Sequence, residues 1–244
     1  MSALVQQLWV TRPNPDGEAM AKLVREAGMV PWQMPVMDIF WQSPAHEALR
    51  QLMQAHIVIV TSRYAVTSLE KSGIHWPKNV TYMAVGAATG KALQQIGIEP
   101  IVPTQSDSEG LLSEPVLAHT EGKVVVILKG EGGRTTLRTQ LTKRGALVTE
   151  IPLYRRVCKP VDQGMLTTFL QQEQAVVTVA SAESLTCAMN ATPAGFRRRL
   201  MSLSLAVMSE RIADFARAKD WQGDIQVATI MSSQGLIEAA KACR

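Results

Sequence analysis

The chain has 244 residues, of which 46% are hydrophobic and 19% charged, and its formal net charge is +4 at pH 7. This length allows one large or two small domains, and the composition is that of a globular protein. The mild basic excess, with no aromatic residues interleaved among basic ones, argues against a nucleic-acid-binding protein. No apolar run approaches the roughly 18 residues of a membrane span, and residues 1–10 lack a basic segment before a long apolar one. We therefore expect neither a membrane helix nor a signal peptide.

Cysteine and histidine are sparse and dispersed. Cys158, Cys187 and Cys243 are odd in number and far apart, with no CxxC pair, and the four histidines have no ligand spacing. Such a set argues against a disulfide framework and a zinc site, and it suits a reducing compartment. We expect a cytoplasmic protein without a bound metal.

Short apolar runs alternate with longer amphipathic segments. The Leu-Trp-Val-Thr run at 8–11 predicts a buried strand, and Asn-Pro-Asp at 14–16 predicts a helix start with Asn14 as N-cap. Gly28 is expected to end that helix. A second strand is predicted around 30–37, and further strands near 57–61, 80–85, 98–102, 123–128, 147–153, 175–180, 203–208 and 225–228. Strands alternating with helices predict an α/β fold with largely parallel sheets.

The chain contains an internal repeat. Residues 9–37 align with 126–154 at a constant offset of 117, which places Arg12 on Lys129, Gly28 on Gly145 and Pro35 on Pro152. Residues 59–62 resemble 178–181 at an offset of 119, and 108–112 resemble 233–237 at 125. The offset increases along the chain, as loop insertions between true repeats would cause. We therefore favour duplication over chance similarity among α/β units.

The repeat order is A, B, A′, B′, and it allows two assemblies. Either A joins B and A′ joins B′, or B with A′ forms a domain inserted between A and B′. The residue pattern alone does not choose between them.

Polar residues follow the predicted strands where a ligand would bind. In open parallel sheets, ligands collect beyond the carboxyl ends of the strands, where helix N-termini offer free N–H groups to anions. The residues at these ends are hydroxyl-bearing, glycine or cationic, and comprise Arg12, Thr61, Ser62, Gly86, Thr89, Lys129, Gly130, Ser181 and Ser209. They include no carboxylate pair, no histidine and no nucleophile beside a base, so they predict anion binding rather than acid–base chemistry.

Each of these residues also has a purely structural interpretation. Ser62, Ser181 and Ser209 are simply explained as helix N-caps, and Arg12 and Lys129 could pair with nearby acids. The glycine-rich loop at 129–134 matches neither GxxxxGK[ST] nor GxGxxG, so a nucleotide site is not expected. The equivalent places of Arg12 and Lys129 in the two repeats favour function.

With these residues in view, the sequence resembles the uroporphyrinogen-III synthase family. The matching motifs run in order along nearly the whole chain: Thr-Arg-Pro at 11–13, Thr-Ser-x-x-Ala-Val at 61–66, Val-Gly-x-x-Thr at 85–89, Lys-Gly-x-Gly-Gly-Arg at 129–134, Tyr-Arg at 154–155 and Val-x-Ser-Glu-Arg at 207–211. Each motif is weak alone, whereas six in sequence are fairly specific.

The resemblance implies a particular assembly. The family fold has two flavodoxin-like parallel-sheet domains joined by a two-stranded ladder, with one domain inserted into the other. Here that places residues 1–36 with 157–244 in domain 1 and residues 37–156 in domain 2, with the active cleft between them.

The resemblance also implies an enzyme that needs no cofactor or metal. Such an enzyme converts hydroxymethylbilane into uroporphyrinogen III with loss of water and inversion of ring D through a spiro intermediate, in tetrapyrrole (haem) biosynthesis. Tyr154, near a predicted domain junction, is then the candidate for polarising the departing hydroxyl. The other strand-end residues are expected to bind the substrate's carboxylates.

Two stretches depart from the family pattern. Ala180 precedes Ser181 where many members have Thr-Ser, which removes one hydroxyl. Residues 209–211 are Ser-Glu-Arg where many members have Gly-Pro-Thr, so a threonine of the active cleft is absent and Ser209 is its candidate substitute.

Two other functional classes remain as alternatives. One is a non-catalytic two-domain binding protein for a polyanionic small ligand, and the other is a receiver-like signalling pair, whose clustered acids are missing here. For partners we expect the small-molecule substrate, transient contact with hydroxymethylbilane synthase, no nucleic acid and no membrane, in a monomer that shows no long apolar stripe.

Overall fold

The computed structural model describes residues 5–133 and 135–243. Its ten strands within those residues are β1 (Gln7–Val10), β2 (Val30–Gln33), β3 (Met37–Trp41), β4 (Ile57–Val60), β5 (Thr81–Ala84), β6 (Val124–Gly130), β7 (Leu147–Cys158), β8 (Ala175–Val179), β9 (Ser204–Val207) and β10 (Ile225–Val227).

The helices fill the intervals between these strands. They are α1 (Asp16–Glu26), α2 (His46–Met53), α3 (Arg63–Lys71), α4 (Ala87–Gln95), α5 (Ser108–Ser113), α6 (Thr136–Lys143), α7 (Gln163–Leu170), α8 (Ala182–Ala191), α9 (Arg197–Met201), α10 (Glu210–Arg217) and α11 (Ser233–Ala242), with short 3-10 helices at Pro115–Leu117 and Ala194–Phe196. The alternation confirms the predicted α/β fold with parallel strands.

The contacts divide the chain into two compact units. The first unit holds the residues up to Asp38 and those from Val157 onward, and the second is Ile39–Arg156. Each contains a five-stranded sheet, with order β10-β9-β8-β1-β2 in the first and β3-β7-β6-β4-β5 in the second. The predicted domain bounds, residues 1–36 with 157–244 and residues 37–156, and the active cleft between the two domains stay predictions.

Both sheets carry a hydrophobic core on each face. In β1, Leu8 and Val10 point to one core, which packs on α1 and α11, while Trp9 points to the opposite core. In β4, Ile57 and Ile59 face one core, and Val58 and Val60 face the other. Strands buried on both faces appear in the sequence as continuous apolar runs, which explains why those runs predicted β1 and β4 correctly.

The register of the strands supports the internal repeat. Trp9 in β1 pairs with Trp32 in β2, and residues 117 positions later, Val126 and Thr149, pair in the same way in β6 and β7. The neighbouring strands correspond as well. Across the first sheet β1 is followed by β8 and then β9, and across the second sheet β6 is followed by β4 and then β5. The glycines that end the first helix of each repeat, Gly28 and Gly145, both have a φ of 78°.

Three local predictions are wrong. The stretch 30–37 is two strands, because Pro35 interrupts it and supplies no N–H for a ladder. The stretch 98–102 contributes only an isolated bridge from Ile101 to Met83, in a segment that also contains Pro100. Asn14 does not cap α1: the position before the helix is Pro15, and the Asn14 side chain donates to Glu18 Oε1 at 2.6 Å.

β7 is longer than predicted, and its neighbour β3 runs the opposite way. Two backbone hydrogen bonds join them, from Gln42 N to Leu153 O and from Lys159 N to Val36 O, both 2.9 Å long. Residue numbers rise on one strand as they fall on the other, so the pair is antiparallel. The chain crosses from one unit to the other in these two strands.

The structure corrects the expectation about cysteine. A disulfide joins Cys158, the last residue of β7, to Cys187 in α8, with Cα atoms 5.2 Å apart and a sequence separation of 29. The two cysteines meet because α8 packs back beside the end of β7, which spacing along the chain does not reveal. Cys243 is a buried free thiol, and burial, reinforced by the charge of Asp224, raises its pKa to about 12. The cysteines therefore no longer argue for a reducing compartment.

No helix within 5–133 or 135–243 combines the length and apolar character needed to cross a membrane.

Candidate active site

A cavity of about 200 Å³ lies in the second unit, at the carboxyl ends of three adjacent parallel strands. Thr61 follows β4, Val85 follows β5, and Lys129 and Gly130 end β6. Tyr154 of β7 also lines the cavity. The structure therefore brings together four residues predicted from the sequence, Thr61, Lys129, Gly130 and Tyr154, at the sheet edge where ligands of this architecture collect.

The Tyr154 ring is held between two neighbours. The register of the β6–β7 pair shifts between Lys129 and Gly130, so that Gly130 lies opposite Tyr154. A Cβ on Gly130 would lie 2.7 Å from Tyr154 Cζ, and the Tyr64 ring lies 5.5 Å from the Tyr154 ring. Tyr154 is 2% exposed. Such irregularities re-aim side chains, and here the absence of a side chain on Gly130 makes room for the phenol.

Lys129 is paired within the cavity. Its Nζ donates to Glu150 Oε1 at 3.0 Å, and Arg138 Nη1 lies 3.8 Å from the other oxygen of Glu150. The Lys129 and Glu150 side chains are only 13% and 19% exposed, so solvent screens this pair less than a surface ion pair. An ammonium has three donors, and a substrate carboxylate approaching Lys129 would compete with Glu150 for its charge.

The remaining predicted residues of this unit have mainly structural contacts. Thr61 Oγ1 donates to Leu128 O at 3.1 Å, and Ser62 Oγ caps α3 by accepting from Tyr64 N at 3.2 Å. Gly86 is the N-cap residue of α4 in extended conformation, and Thr89, in the first turn of that helix, is 5% exposed. Ser62, Gly86 and Thr89 do not line the cavity.

In the first unit, the predicted residues lie at the equivalent sheet edge. Arg12 Nη1 donates to Ser233 Oγ at 2.9 Å, and its Nη2 lies 3.4 Å from Asp16, with both side chains a quarter exposed. Ser181 forms a capping box with Ser184 at the start of α8. Ser209 occupies the N-cap position of α10 but makes no side-chain capping bond. Arg12 and Lys129 thus both pair with a nearby acid.

Glu150 and Arg156 also line the cavity, although the sequence reasoning named neither. The predicted strand ended at residue 153, which left Arg156 outside any element. Alternation along a longer strand would have placed Arg156 on the same side as Tyr154, since residues two apart share a face.

The cavity combines a buried phenol, an ammonium, the guanidinium group of Arg156 and two carboxylates, Glu131 and Glu150. A phenol can donate a hydrogen bond or a proton, and the cations can bind a carboxylate or stabilise negative charge. These groups suit binding of an acidic organic molecule and assistance to a departing oxygen.

Comparison with known proteins identifies relatives. The family model described as uroporphyrinogen-III synthase HemD matches residues 18–238. The chain is 34% identical to the uroporphyrinogen-III synthase of Salmonella typhimurium over 242 residues, which cover 94% of this chain and 98% of the relative. It is 33% identical to that of Escherichia coli over 244 residues, with the same coverage.

Solved structures share the fold. The Helicobacter pylori uroporphyrinogen-III synthetase matches with a TM-score of 0.70 at 15% identity, covering 99% of this chain and all of that one. A mutant uroporphyrinogen III synthase of Thermus thermophilus matches with a TM-score of 0.61 at 19% identity, covering 98% of this chain and 96% of that one. The family model and the two relatives, together with the motifs and the site, show that the chain belongs to the uroporphyrinogen-III synthase family.

Proposed function

We propose that this chain converts hydroxymethylbilane into uroporphyrinogen III, as a cyclising hydro-lyase of tetrapyrrole biosynthesis that inverts the last ring of its substrate. The observation that carries the proposal is the match to synthases along more than nine-tenths of the chain. The clustering of Tyr154 with cationic groups in one cavity supports it.

The reaction begins with departure of a hydroxyl. Electrons of the pyrrole that carries the hydroxymethyl group expel this hydroxyl. Tyr154 donates the proton with which the hydroxyl leaves as water. The resulting azafulvene is attacked by the substituted carbon of ring D, which forms a spiro intermediate. That intermediate fragments and recloses with ring D inverted, and a proton is released as the macrocycle regains its pyrroles.

The demanding part of the reaction is conformational. Uncatalysed closure yields the uninverted isomer I, so the enzyme has to fold a flexible chain until the substituted carbon meets the azafulvene. Orientation of this kind contributes up to ~7–11 kcal/mol in well-arranged systems. We propose that the strand-end residues and the adjacent helix N-termini provide this orientation by binding the substrate's carboxylates. The residues are Arg12, Thr61, Ser62, Gly86, Thr89, Lys129, Gly130, Ser181 and Ser209.

A coupled assay tests the function. Hydroxymethylbilane is generated in situ by its synthase, this protein is added, and the oxidised uroporphyrin isomers are resolved by chromatography. A shift from isomer I to isomer III, without added metal or cofactor, is expected. Isomer I alone, from protein with a folded circular dichroism spectrum, would contradict the proposal and favour a non-catalytic binding protein for a polyanionic ligand.

We further propose a monomer that meets hydroxymethylbilane synthase transiently and acts in the cytoplasm. Light scattering tests the first point, with a mass of 26.7 kDa expected. The lag in isomer III formation tests the second, because direct transfer predicts a lag shorter than the ratio KM/Vmax of this protein, which a freely diffusing intermediate requires. Cell fractionation tests the third.

A further inference from the structure

The hydroxyl of Tyr154 lies close to one charged side chain of its own strand. Arg156 Nη2 is 3.4 Å from Tyr154 Oη, and the guanidinium carbon lies 5.6 Å from the centre of the phenol ring. Arg156 also lines the cavity that contains Tyr154. Residues two apart on a strand share a face, which accounts for the contact.

The intervening residue, Arg155, faces elsewhere. Its guanidinium carbon lies 4.7 Å from the centre of the Phe40 ring, and Arg155 does not line the cavity. Arg155 and Arg156 are both exposed residues with the same charge, on opposite sides of one strand. They therefore form a matched pair in which only one member contacts Tyr154.

The direction of the hydrogen bond has a chemical consequence. A guanidinium only donates hydrogen bonds, so the Tyr154 oxygen accepts from Arg156 and its own hydrogen must point to another acceptor. The ring itself cannot swing away, since Gly130 and Tyr64 pack against it. The phenol is thus held in place with its hydrogen directed away from Arg156.

We propose that Arg156 is a positioning residue, which fixes the Tyr154 hydroxyl and stabilises the phenolate formed when that hydroxyl gives up its proton. This inference rests on the proposed function. In the step concerned, the carbon–oxygen bond of the hydroxymethyl group breaks, its electron pair leaves with the oxygen, and the Tyr154 proton completes water. The guanidinium balances the phenolate charge until the proton released on ring closure restores the phenol.

The test compares Arg156→Gln with Arg155→Gln in the coupled isomer assay. Loss of a charge-assisted contact predicts that Arg156→Gln lowers kcat by roughly ten- to a hundredfold with little change in KM. Arg155→Gln removes the same charge and is expected to retain wild-type kcat. Arg156→Lys, which keeps a donor and the charge, is expected to recover part of the loss.

A double-mutant cycle separates positioning from a general effect. In the Tyr154→Phe background, Arg156→Gln is expected to cause almost no further loss, because the group that it serves is gone. Equal losses in both backgrounds, an effect confined to KM, or the same loss in Arg155→Gln would each overturn the inference while leaving the synthase function intact. Isomer I alone from the wild type and Arg155→Gln would overturn the proposed function and this inference with it.

Discussion

Tyr154 and Gly130 together define the geometry of the phenol. Tyr154 is nearly inaccessible to solvent, yet it lines the cavity. Gly130 is needed because it has no side chain, which leaves room for the Tyr154 ring.

Tyr154→Phe is expected to lower kcat by about tenfold to a hundredfold, near the lower end of general-acid contributions, since the pyrrole electrons already drive the hydroxyl out. The isomer ratio should shift partly toward isomer I as the enzymatic route slows. The measurement is initial rate with isomer analysis. Full rate with full isomer fidelity would remove Tyr154 from the mechanism.

Gly130→Ala is expected to reduce kcat about as much as Tyr154→Phe, because the added methyl would lie 2.7 Å from Tyr154 Cζ and must displace the ring. Gly195→Ala is the matched control, since a Cβ at Gly195 meets nothing within 4 Å. Steady-state kinetics and a melting temperature for both variants make the comparison. A folded Gly130→Ala variant with normal kcat would show that the phenol position is not critical.

Lys129→Ala should raise KM by about tenfold with little change in kcat if Lys129 binds a substrate carboxylate. Glu150→Gln should act in the opposite direction, because it frees the ammonium from the acid 3.0 Å away. Substrate-saturation curves for the two variants test the pair. If KM stayed constant in a folded Lys129→Ala protein, the ion pair with Glu150 would have only a structural role.

At the scale of elements, the sequence predicted the buried strands well and the exposed junctions poorly. Continuous apolar runs locate β4 and β8 because both faces of these strands are buried. In β3 burial alternates along the strand, but the sequence does not alternate because the exposed Phe40 is as apolar as its neighbours. The far end of β7 is largely exposed, so it contains no apolar run. Of the three residues of β7 that line the cavity, the sequence identified Tyr154 and missed Glu150 and Arg156. Arg156 was missed because it lies beyond the predicted end of the strand at residue 153.

The disulfide is likewise a property of the fold rather than of spacing. Cys158 ends a strand and Cys187 lies inside a helix, and only their packing brings them within bonding distance. Nothing along the chain distinguishes this pair from the free Cys243.

Thiol counting tests the pairing. The unfolded, unreduced protein is expected to contain one free thiol per chain and the reduced protein three. In the folded state Cys243 should resist alkylation at pH 8, because burial raises its pKa to about 12 and keeps it protonated. Reduction should lower the free energy of unfolding by roughly 3 kcal/mol, which urea titration with and without reductant measures. Three thiols before reduction would contradict the pairing.

For the whole molecule, the excess of basic residues suits a polycarboxylate ligand. The net charge is only +4, so attraction depends on the placement of cations at the sheet edges more than on their number.

Raising the salt concentration from about 20 mM to 300 mM should increase KM several-fold and leave kcat nearly constant, since salt screens approach of the substrate more than the enclosed chemistry. The coupled assay has to contain excess hydroxymethylbilane synthase at each salt concentration, so that supply is never limiting. A constant KM would argue against electrostatic binding of the substrate.

The shared register of the repeats has a consequence for how the two units are related. By position in the sheets, β1 and β2 correspond to β6 and β7, and β8 and β9 correspond to β4 and β5. In the first unit β1 and β2 come first along the chain, whereas in the second unit their counterparts β6 and β7 come last. The units are therefore circular permutants of one another. A residue's counterpart is found by its place in the sheet and not by its order in the chain, so Arg12, near the beginning of the first unit, corresponds to Lys129, near the end of the second.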